Sequence, residues 1–361
     1  MTNAEAYVAL NLLPGMGPVR VKRLLEAFQS PQMILASSSD SLQRVEGIGR
    51  ELAETISHWE NKVDLAHELN QIKKLGVTLV TLADADYPEN LRNLYDPPLV
   101  LYVKGRFEAK DKKALSLIGS RSATYYGREM ARKMGFQLTY AGFTVVSGLA
   151  RGIDTASHEG ALAAKGRTIA VLGCGIDQVY PPENRLLSEK IAESGAVISE
   201  FPIGTKPDRQ TFPIRNRIVS GLGMGLVVIE AAKNSGALIT ARMALDQGRQ
   251  VFAMPGRVDV PHSRGCHALI KQGAKLVESA EDVCADFEFF LPTPASEASP
   301  SPSDLSLEEQ KIYEMLDQEP KPIDEIIENC GLPVATVSST LLRLEVKKLA
   351  KSLPGKLFVK K

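Results

Sequence analysis

Small residues that could bind phosphate recur at four points of the sequence, each between an apolar run and a helical pattern. They are Gly119-Ser120-Arg121, Ser147-Gly148-Leu149-Ala150, Gly173-Cys174-Gly175 and Ser235-Gly236. Backbone amides at the start of a helix have no partner within the helix, and the helix dipole adds positive potential there. We therefore expect each segment to offer an anion site.

Cations and one aromatic ring accompany these segments. Arg121 and Arg151 each belong to or directly follow one of them. A later segment supplies Lys206, Phe212, Arg215, Asn216 and Arg217. An isolated arginine is usually a solvated surface charge, and one nucleotide would not require so many cations. A nucleic acid strand offers a phosphate at every step and bases that stack on a ring, so the clustering favours single-stranded nucleic acid as the ligand.

The glycine spacing fits a nucleotide cofactor less well than it fits a nucleic acid strand. Gly173 and Gly175 begin a dinucleotide fingerprint, but Gln178 stands where the third glycine belongs. No segment matches the phosphate loop Gly-x-x-x-x-Gly-Lys-Ser/Thr. We expect no cofactor. A sensor that binds one nucleotide in the same crevice is a further hypothesis, which the missing glycine disfavours.

Carboxylates near the ends of apolar runs raise the alternative of an enzyme. Asp154, Asp177, Glu200 and Glu230 could bind a divalent metal for nucleotide or phosphodiester hydrolysis. Acids at such positions more often cap helices. His158 follows Asp154 at helical spacing and could act as a base, although a packed histidine is the commoner outcome. We expect no catalytic and no metal-binding residue, and keep the metal-dependent hydrolase as the alternative.

Six apolar runs rich in β-branched residues predict the strands that position these residues. They are Ala114–Ile118, Thr144–Ser147, Thr168–Leu172, Ala196–Ser199, Leu226–Ile229 and Gln250–Ala253. Helical patterns separate them near 125–140, 154–164, 183–194, 214–221, 237–247 and 262–272. Uniformly apolar strands are covered on both faces, which indicates an α/β fold with a parallel sheet over 77–290. The carboxyl ends of parallel strands line up, so the four small-residue segments should meet at one edge.

Residues 1–76 read as helical and contain a short repeat. Leu13–Pro18 and Val45–Arg50 each place a Gly-x-Gly turn ahead of a helical pattern. These turns resemble helix-hairpin-helix (SAM-like) units, whose amides bind DNA phosphates, with Arg20, Lys22 and Arg50 assisting. The alternative is a helical bundle in which the glycines only permit tight turns.

The C-terminal part follows a linker. Residues 291–304 are rich in Pro, Ser and Ala and carry little charge, so they cannot form a packed core. Residues 305–361 read as three helices and a hairpin turning at Pro354-Gly355, the outline of a winged helix. Basic residues near its end could reach duplex phosphates: Arg343, Lys347, Lys348, Lys351 and Lys356. We expect weak, non-specific duplex binding or contact with a partner protein.

Composition limits the ligands that the protein could bind and the compartment in which we expect it. The 361 residues contain 43 Lys and Arg against 43 Asp and Glu, so any polyanion must be bound by a local patch. No apolar stretch approaches the length of a membrane span, and the N-terminal residues lack the pattern of a secretory signal. Four cysteines without a CxxC pair indicate reduced, buried thiols. We expect a cytoplasmic protein without membrane contact.

The central motifs resemble the DNA-processing protein A family, also called DprA or Smf, over about residues 80 to 285. The motifs are Ile118–Arg121, Ser147–Asp154, Leu172–Asp177, Tyr180-Pro181, Asn184, Phe212–Arg217, Glu230-Ala231, Ser235-Gly236 and Thr240-Ala241.

The resemblance implies an extended Rossmann domain that binds single-stranded DNA without sequence preference and forms a homodimer. It also implies contact with the RecA recombinase, which such proteins help to load, and protection of incoming strands in natural transformation. Carried over to this sequence, Arg121, Arg215 and Arg217 would hold phosphates, Phe212 would face a base, and Lys206 would assist.

Overall fold

The computed structural model describes residues 1–290, 305–317, 319–346, 349–353 and 357–360. The chain divides into two compact units, Met1–Glu288 and Phe289–Lys361. The predicted linker, 291–304, lies outside the described residues. The boundary predicted between 76 and 77 falls within the first unit and stays a prediction.

The first unit begins with six helices. They are α1 (Asn3–Leu12), α2 (Pro18–Phe28), α3 (Pro31–Leu35), α4 (Ser39–Leu42), α5 (Arg50–Ser57) and α6 (Leu65–Lys74). Their buried faces pack Leu10, Leu24 and Ile56 into one core. Gly15 and Gly47 open the two repeated turns with φ of 76° and 84°. These left-handed values favour glycine, which explains why each Gly-x-Gly turn begins with it.

A nine-stranded sheet forms the body of the first unit. Its strands are β1 (Thr78–Thr81), β2 (Val100–Gly105), β3 (Ala114–Ile118), β4 (Thr144–Ser147), β5 (Thr168–Val171), β6 (Ala196–Ser199), β7 (Gly225–Val228), β8 (Gln250–Ala253) and β9 (Lys275–Leu276). They lie in the order β1-β2-β6-β5-β4-β3-β7-β8-β9. Strands β3 to β9 run parallel, whereas β2 pairs antiparallel with β6 and with β1. The six predicted strands are confirmed as β3 to β8, and β1, β2 and β9 are additional.

Helices cover both faces of this sheet. They are α7 (Glu89–Arg92), α8 (Tyr125–Tyr140), α9 (Ile153–Ala163), α10 (Arg185–Ser194), α11 (Thr211–Leu222), α12 (Gly236–Asp246), α13 (Arg264–Lys271) and α14 (Ala280–Cys284). The main difference from the predicted bounds is α11, which begins at Thr211 rather than near residue 214. Phe212 therefore lies in the first turn of a helix, where Pro213 is tolerated because no intrahelical donor is needed.

The second unit has helices α15 (Leu307–Met315), α16 (Ile323–Cys330) and α17 (Val334–Val346). Its small antiparallel sheet comprises β10 (Lys321–Pro322), β11 (Ala350–Leu353) and β12 (Leu357–Lys360) in the order β10-β12-β11. Ile312, Ile326 and Leu341 are buried in its core. This is the predicted winged helix, and the fold class is confirmed. The predicted turn at Pro354-Gly355 lies outside the described residues.

Among the described residues, no helix is long and apolar enough to cross a membrane. Cys174, Cys266 and Cys330 are buried and Cys284 is partly buried, all as free thiols.

Candidate nucleic-acid interface

A crevice lies at the carboxyl ends of β3 and β7, between which the strand order reverses. In open α/β sheets this switch point is where ligands bind. The cavity measures about 580 Å³. It brings together nine of the predicted site residues: Gly119, Ser120, Arg121, Gly148, Phe212, Arg215, Asn216, Ser235 and Gly236. The three small-residue segments that follow β3, β4 and β7 thus meet in one site.

The period of α11 decides which of its residues face the crevice. Phe212, Arg215, Asn216 and Val219 all line it, and they recur at the three- and four-residue spacing of one helix face. Arg217 falls on another face and is absent from the lining. The motif that reads as one block in sequence is therefore divided by the helix.

Phe212 contributes an aromatic ring to the lining of the crevice. The guanidinium carbon of Arg121 lies 4.9 Å from its ring centroid, and the Tyr180 ring lies 5.6 Å away at a tilt of 39°. Gly173 packs beneath the ring, because a Cβ atom there would come within 2.7 Å of Phe212 Cδ1. Gly173 therefore supports the ring, and Arg121 remains exposed at the mouth of the crevice.

Arg215 is buried at the base of the crevice, with 4% of its surface exposed. Its guanidinium donates to the carbonyl of Gly148 at 2.6 Å and to that of Val171. Asp154 faces it and accepts from the amides of Gly148 and Ala150 at 3.2 and 3.3 Å. Burial lowers the pKa of Arg215 to about 10, although Asp154 opposes the shift. Arg215 thus fastens the loop that follows β4 to the carboxyl end of β5.

Arg217 is also buried, on the far side of α11. It pairs with Glu200 at 2.6 Å and with Asp96 at 3.1 Å. Burial raises the pKa of Glu200, and the charge of Arg217 opposes that shift. Because two carboxylates already neutralise this guanidinium, its placement argues against the predicted contact with phosphate.

The remaining predicted site residues lie around the crevice rather than in its lining. Ser147 donates its hydroxyl to the carbonyl of Leu117 at 2.6 Å and so ties β4 to β3. Arg151 forms an exposed ion pair with Glu183. Gly175 donates its amide to Thr205. Exposed Lys206 belongs to the loop before α11 but does not reach the cavity lining.

Several residues that line the crevice were not predicted from the sequence, among them Arg209, Asn234 and His262. Arg209 is an exposed cation three residues before Phe212. A count of charges around the aromatic residue would have found it. His262 comes from beyond β8, and nothing in the sequence links it to the other motifs.

The four carboxylates of the enzyme hypothesis serve as loop acceptors or ion-pair partners. Asp154 accepts the two amides given above, Asp177 accepts the amide of Gly204 at 2.9 Å, and Glu200 pairs with Arg217. Glu230 accepts the amide of Thr124 at 3.0 Å. The part of the chain that the structure describes contains no cluster of three or more His, Cys, Asp or Glu suited to a metal.

His158 belongs to α9 and is fully buried. Its Nδ1 lies 2.6 Å from the hydroxyl oxygen of Thr168. Burial, and then the charge of Arg215, lower the pKa of His158 to about 3. It therefore packs inside the domain, out of reach of a ligand in the crevice.

The cations predicted to assist the N-terminal turns are mostly engaged within their own domain. Arg20 donates to the carbonyl of Gly15, and Arg50 pairs with Glu54 at 2.9 Å. Lys22 is exposed. In the winged helix, Arg343 is exposed on α17. Lys347, Lys348, Lys356 and the side chain of Lys351 lie outside the described residues.

Residues 78–288 match the family model of DNA recombination-mediator protein A. This chain belongs to that family. Residues 296–356 match the DprA winged helix domain, and residues 9–57 match a SAM-like helix-hairpin-helix tandem. The resemblance drawn from the motifs is therefore confirmed.

Relatives share most of the chain. Protein Smf of Synechocystis is 35% identical over 98% of both chains. The X-ray structure of DNA processing protein A (DprA) from Streptococcus pneumoniae superposes with a TM-score of 0.71 at 35% identity, covering 79% of this chain and 98% of that one. A structure of DNA processing protein A from Helicobacter pylori, which concerns single-stranded DNA binding by that protein, superposes with a TM-score of 0.54 at 28% identity. The match covers 60% of this chain and 98% of that one.

Proposed function

We propose that this DprA-family protein binds single-stranded DNA without sequence preference in the switch-point crevice. The observation that carries the proposal is the contact of Arg121 with Phe212, in which an exposed cation lies over an aromatic ring of the crevice. Phosphates interact with the cation and bases with the ring, and neither interaction depends on the identity of the base.

Arg121 and Arg209 are the exposed arginines of the crevice lining and are proposed as its phosphate ligands. Ser235 caps α12, and a Cβ atom at Gly236 would meet no atom within 4 Å, so the amide end of this helix is open to a ligand. Helix amides attract anions. Arg215 is proposed as a positioning residue, because its guanidinium already binds two carbonyl groups.

The wider role proposed is DNA processing during natural transformation, in which the protein protects incoming single strands and loads RecA recombinase in the cytoplasm. A homodimer is part of this proposal. It is supported by membership of the family and by the names of the relatives, DNA processing protein DprA among them.

The same site favours a binding protein over a hydrolase. Metal-assisted hydrolysis needs carboxylates free to hold the ion. Here Asp154 and Glu230 are both buried and accept hydrogen bonds from the backbone. We therefore propose no catalytic residue in the crevice.

One experiment separates these possibilities. Purified protein is titrated against a labelled single strand, a duplex and a mononucleotide, with and without Mg²⁺, and the products are analysed after binding. We expect tight binding to the single strand alone, without Mg²⁺ and without cleavage. Strict dependence on Mg²⁺ together with shortened products would support the hydrolase instead.

A further inference from the structure

A second cavity, of about 600 Å³, adjoins the crevice. We call it the Tyr126 cavity. Its lining residues are Thr124, Tyr126, Glu230, Pro255, Gly256, Arg257, Val260 and Ser263. Glu230 lines this cavity and His262 lines the crevice, and His262 Nδ1 lies 3.8 Å from Glu230 Oε1. One pair of side chains therefore separates the two spaces.

The chemistry of the Tyr126 cavity differs from that of the crevice. Its surface is largely apolar, and Tyr126 offers an aromatic ring that is 56% exposed. Glu230 contributes a buried carboxylate, whose oxygens accept the amide and hydroxyl of Thr124. Arg257, the cation of the lining, is paired with Asp259 at 2.7 Å.

An apolar wall, an aromatic ring and a buried carboxylate favour the base of a nucleotide over its phosphate. A phosphate would approach a buried carboxylate of the same charge, which is unfavourable at short range. A planar, uncharged base gains by leaving water for an apolar wall and by stacking on an aromatic ring. The cavity is therefore suited to a base and not to a phosphate.

We propose that the Tyr126 cavity binds a base of the same DNA strand whose phosphate lies beside Arg121. The inference rests on the proposed function. It is supported by the continuity of the two cavities, because a strand that leaves the crevice past His262 meets the Tyr126 cavity next. The site then has two base positions, one at Phe212 in the crevice and one at Tyr126 in the adjoining cavity.

The test uses the full chain and labelled oligothymidylate, with binding followed by fluorescence anisotropy. Tyr126→Ala removes the ring, and Val260→Phe fills the cavity. Tyr125→Ala and Val258→Phe are matched controls, because these neighbours are 74% and 83% exposed and do not line the cavity. We expect each cavity variant to weaken binding about fivefold or more, and each control to bind like the wild type.

A second measurement identifies the occupant. Oligothymidylates with one abasic position, moved along the strand, are bound to the wild type, to Tyr126→Ala and to Phe212→Ala. We expect one abasic position to weaken binding by the wild type but not by Tyr126→Ala, and a different position to show this pattern with Phe212→Ala. Thermal melting followed by circular dichroism confirms that every variant is folded.

Failure of this inference can be distinguished from failure of the proposed function. If Tyr126→Ala and Val260→Phe bind like the wild type while Arg121→Ala binds weakly, the cavity takes no base and the proposed function stands. Equal losses in the cavity variants and their controls, or a mononucleotide that binds the cavity in place of the strand, also overturn the inference. If the wild type binds no single strand, the proposed function fails and the inference fails with it.

Discussion

The guanidinium carbon of Arg121 lies 4.9 Å from the centroid of the Phe212 ring. The cation comes from the loop after β3, whereas the ring comes from the first turn of α11. Two elements far apart in the chain thus place a phosphate ligand and a stacking platform within the span of one nucleotide. The two residues should nevertheless make separable contributions to binding.

Arg121→Ala should weaken binding to all single-stranded sequences alike and lower the salt dependence of affinity by about one unit of slope, because one phosphate contact is lost. Phe212→Leu should weaken binding by about 1–3 kcal/mol and leave the slope nearly intact, because stacking releases no counterion. Titrations over a range of salt concentrations measure both quantities.

A control for these variants is Arg264→Ala, which removes an arginine of α13 that does not line the crevice. Affinity and slope should then stay at the wild-type values. If Phe212→Leu binds like the wild type, the ring serves only in packing against Gly173 and Tyr180.

The strands that carry the site could be predicted closely, because each is a short, uniformly apolar run followed by a helical pattern. Val100–Gly105 escaped prediction although it is apolar, since no amphipathic helix follows it to complete a βα unit. Its antiparallel pairing with β6 depends on residues almost a hundred positions away. The local sequence pattern around Val100–Gly105 therefore does not predict this pairing.

Arg215 should behave differently from Arg121. Because Arg215 is buried against Asp154 and two carbonyl groups, Arg215→Ala leaves a buried carboxylate without its counter-ion. We expect the free energy of unfolding to fall by about 3–5 kcal/mol. Urea denaturation measures this. Arg209→Ala is the matched control, since it removes an exposed arginine of the same crevice and should weaken DNA binding without lowering stability.

The difference between these arginines could not be predicted from sequence. Arg215 and Arg217 are two positions apart in one motif, and arginines are usually exposed. Their burial requires Asp154, Glu200 and Asp96, which come from three other parts of the chain: the first turn of α9, the loop after β6 and the loop before β2. The sequence indicates which charges are present, but only the fold determines which remain free for a ligand.

His158 should make the protein sensitive to mild acid. Its pKa is about 3 in the folded protein and about 6.5 in an unfolded chain. As the pH falls below about 6.5, the unfolded state binds a proton before the folded state does. The free energy of unfolding should therefore decrease by about 2 kcal/mol between pH 7.5 and pH 5 through this group alone.

His158→Gln tests this expectation through the pH dependence of stability, since the loss of the contact with Thr168 also changes its absolute value. Urea denaturation at both pH values should show a shallower decrease for the variant than for the wild type. His67→Gln, at an exposed histidine, controls for the substitution itself. Equal pH dependence in His158→Gln and the wild type would show that His158 is not the group responsible.

Finally, a protein that ends after Glu288 should retain single-stranded DNA binding. Every residue that lines the crevice and the Tyr126 cavity belongs to the compact unit Met1–Glu288. What the truncation should remove is duplex or partner contact made by the basic residues of the winged helix, whose attraction extends about one Debye length, roughly 8 Å at physiological salt. Mobility shifts with single-stranded and duplex probes compare the two lengths, after melting curves show that both fold. If the folded, shortened protein no longer binds single strands, the crevice is not the main site, and the roles assigned to Arg121, Arg209 and Phe212 must be withdrawn.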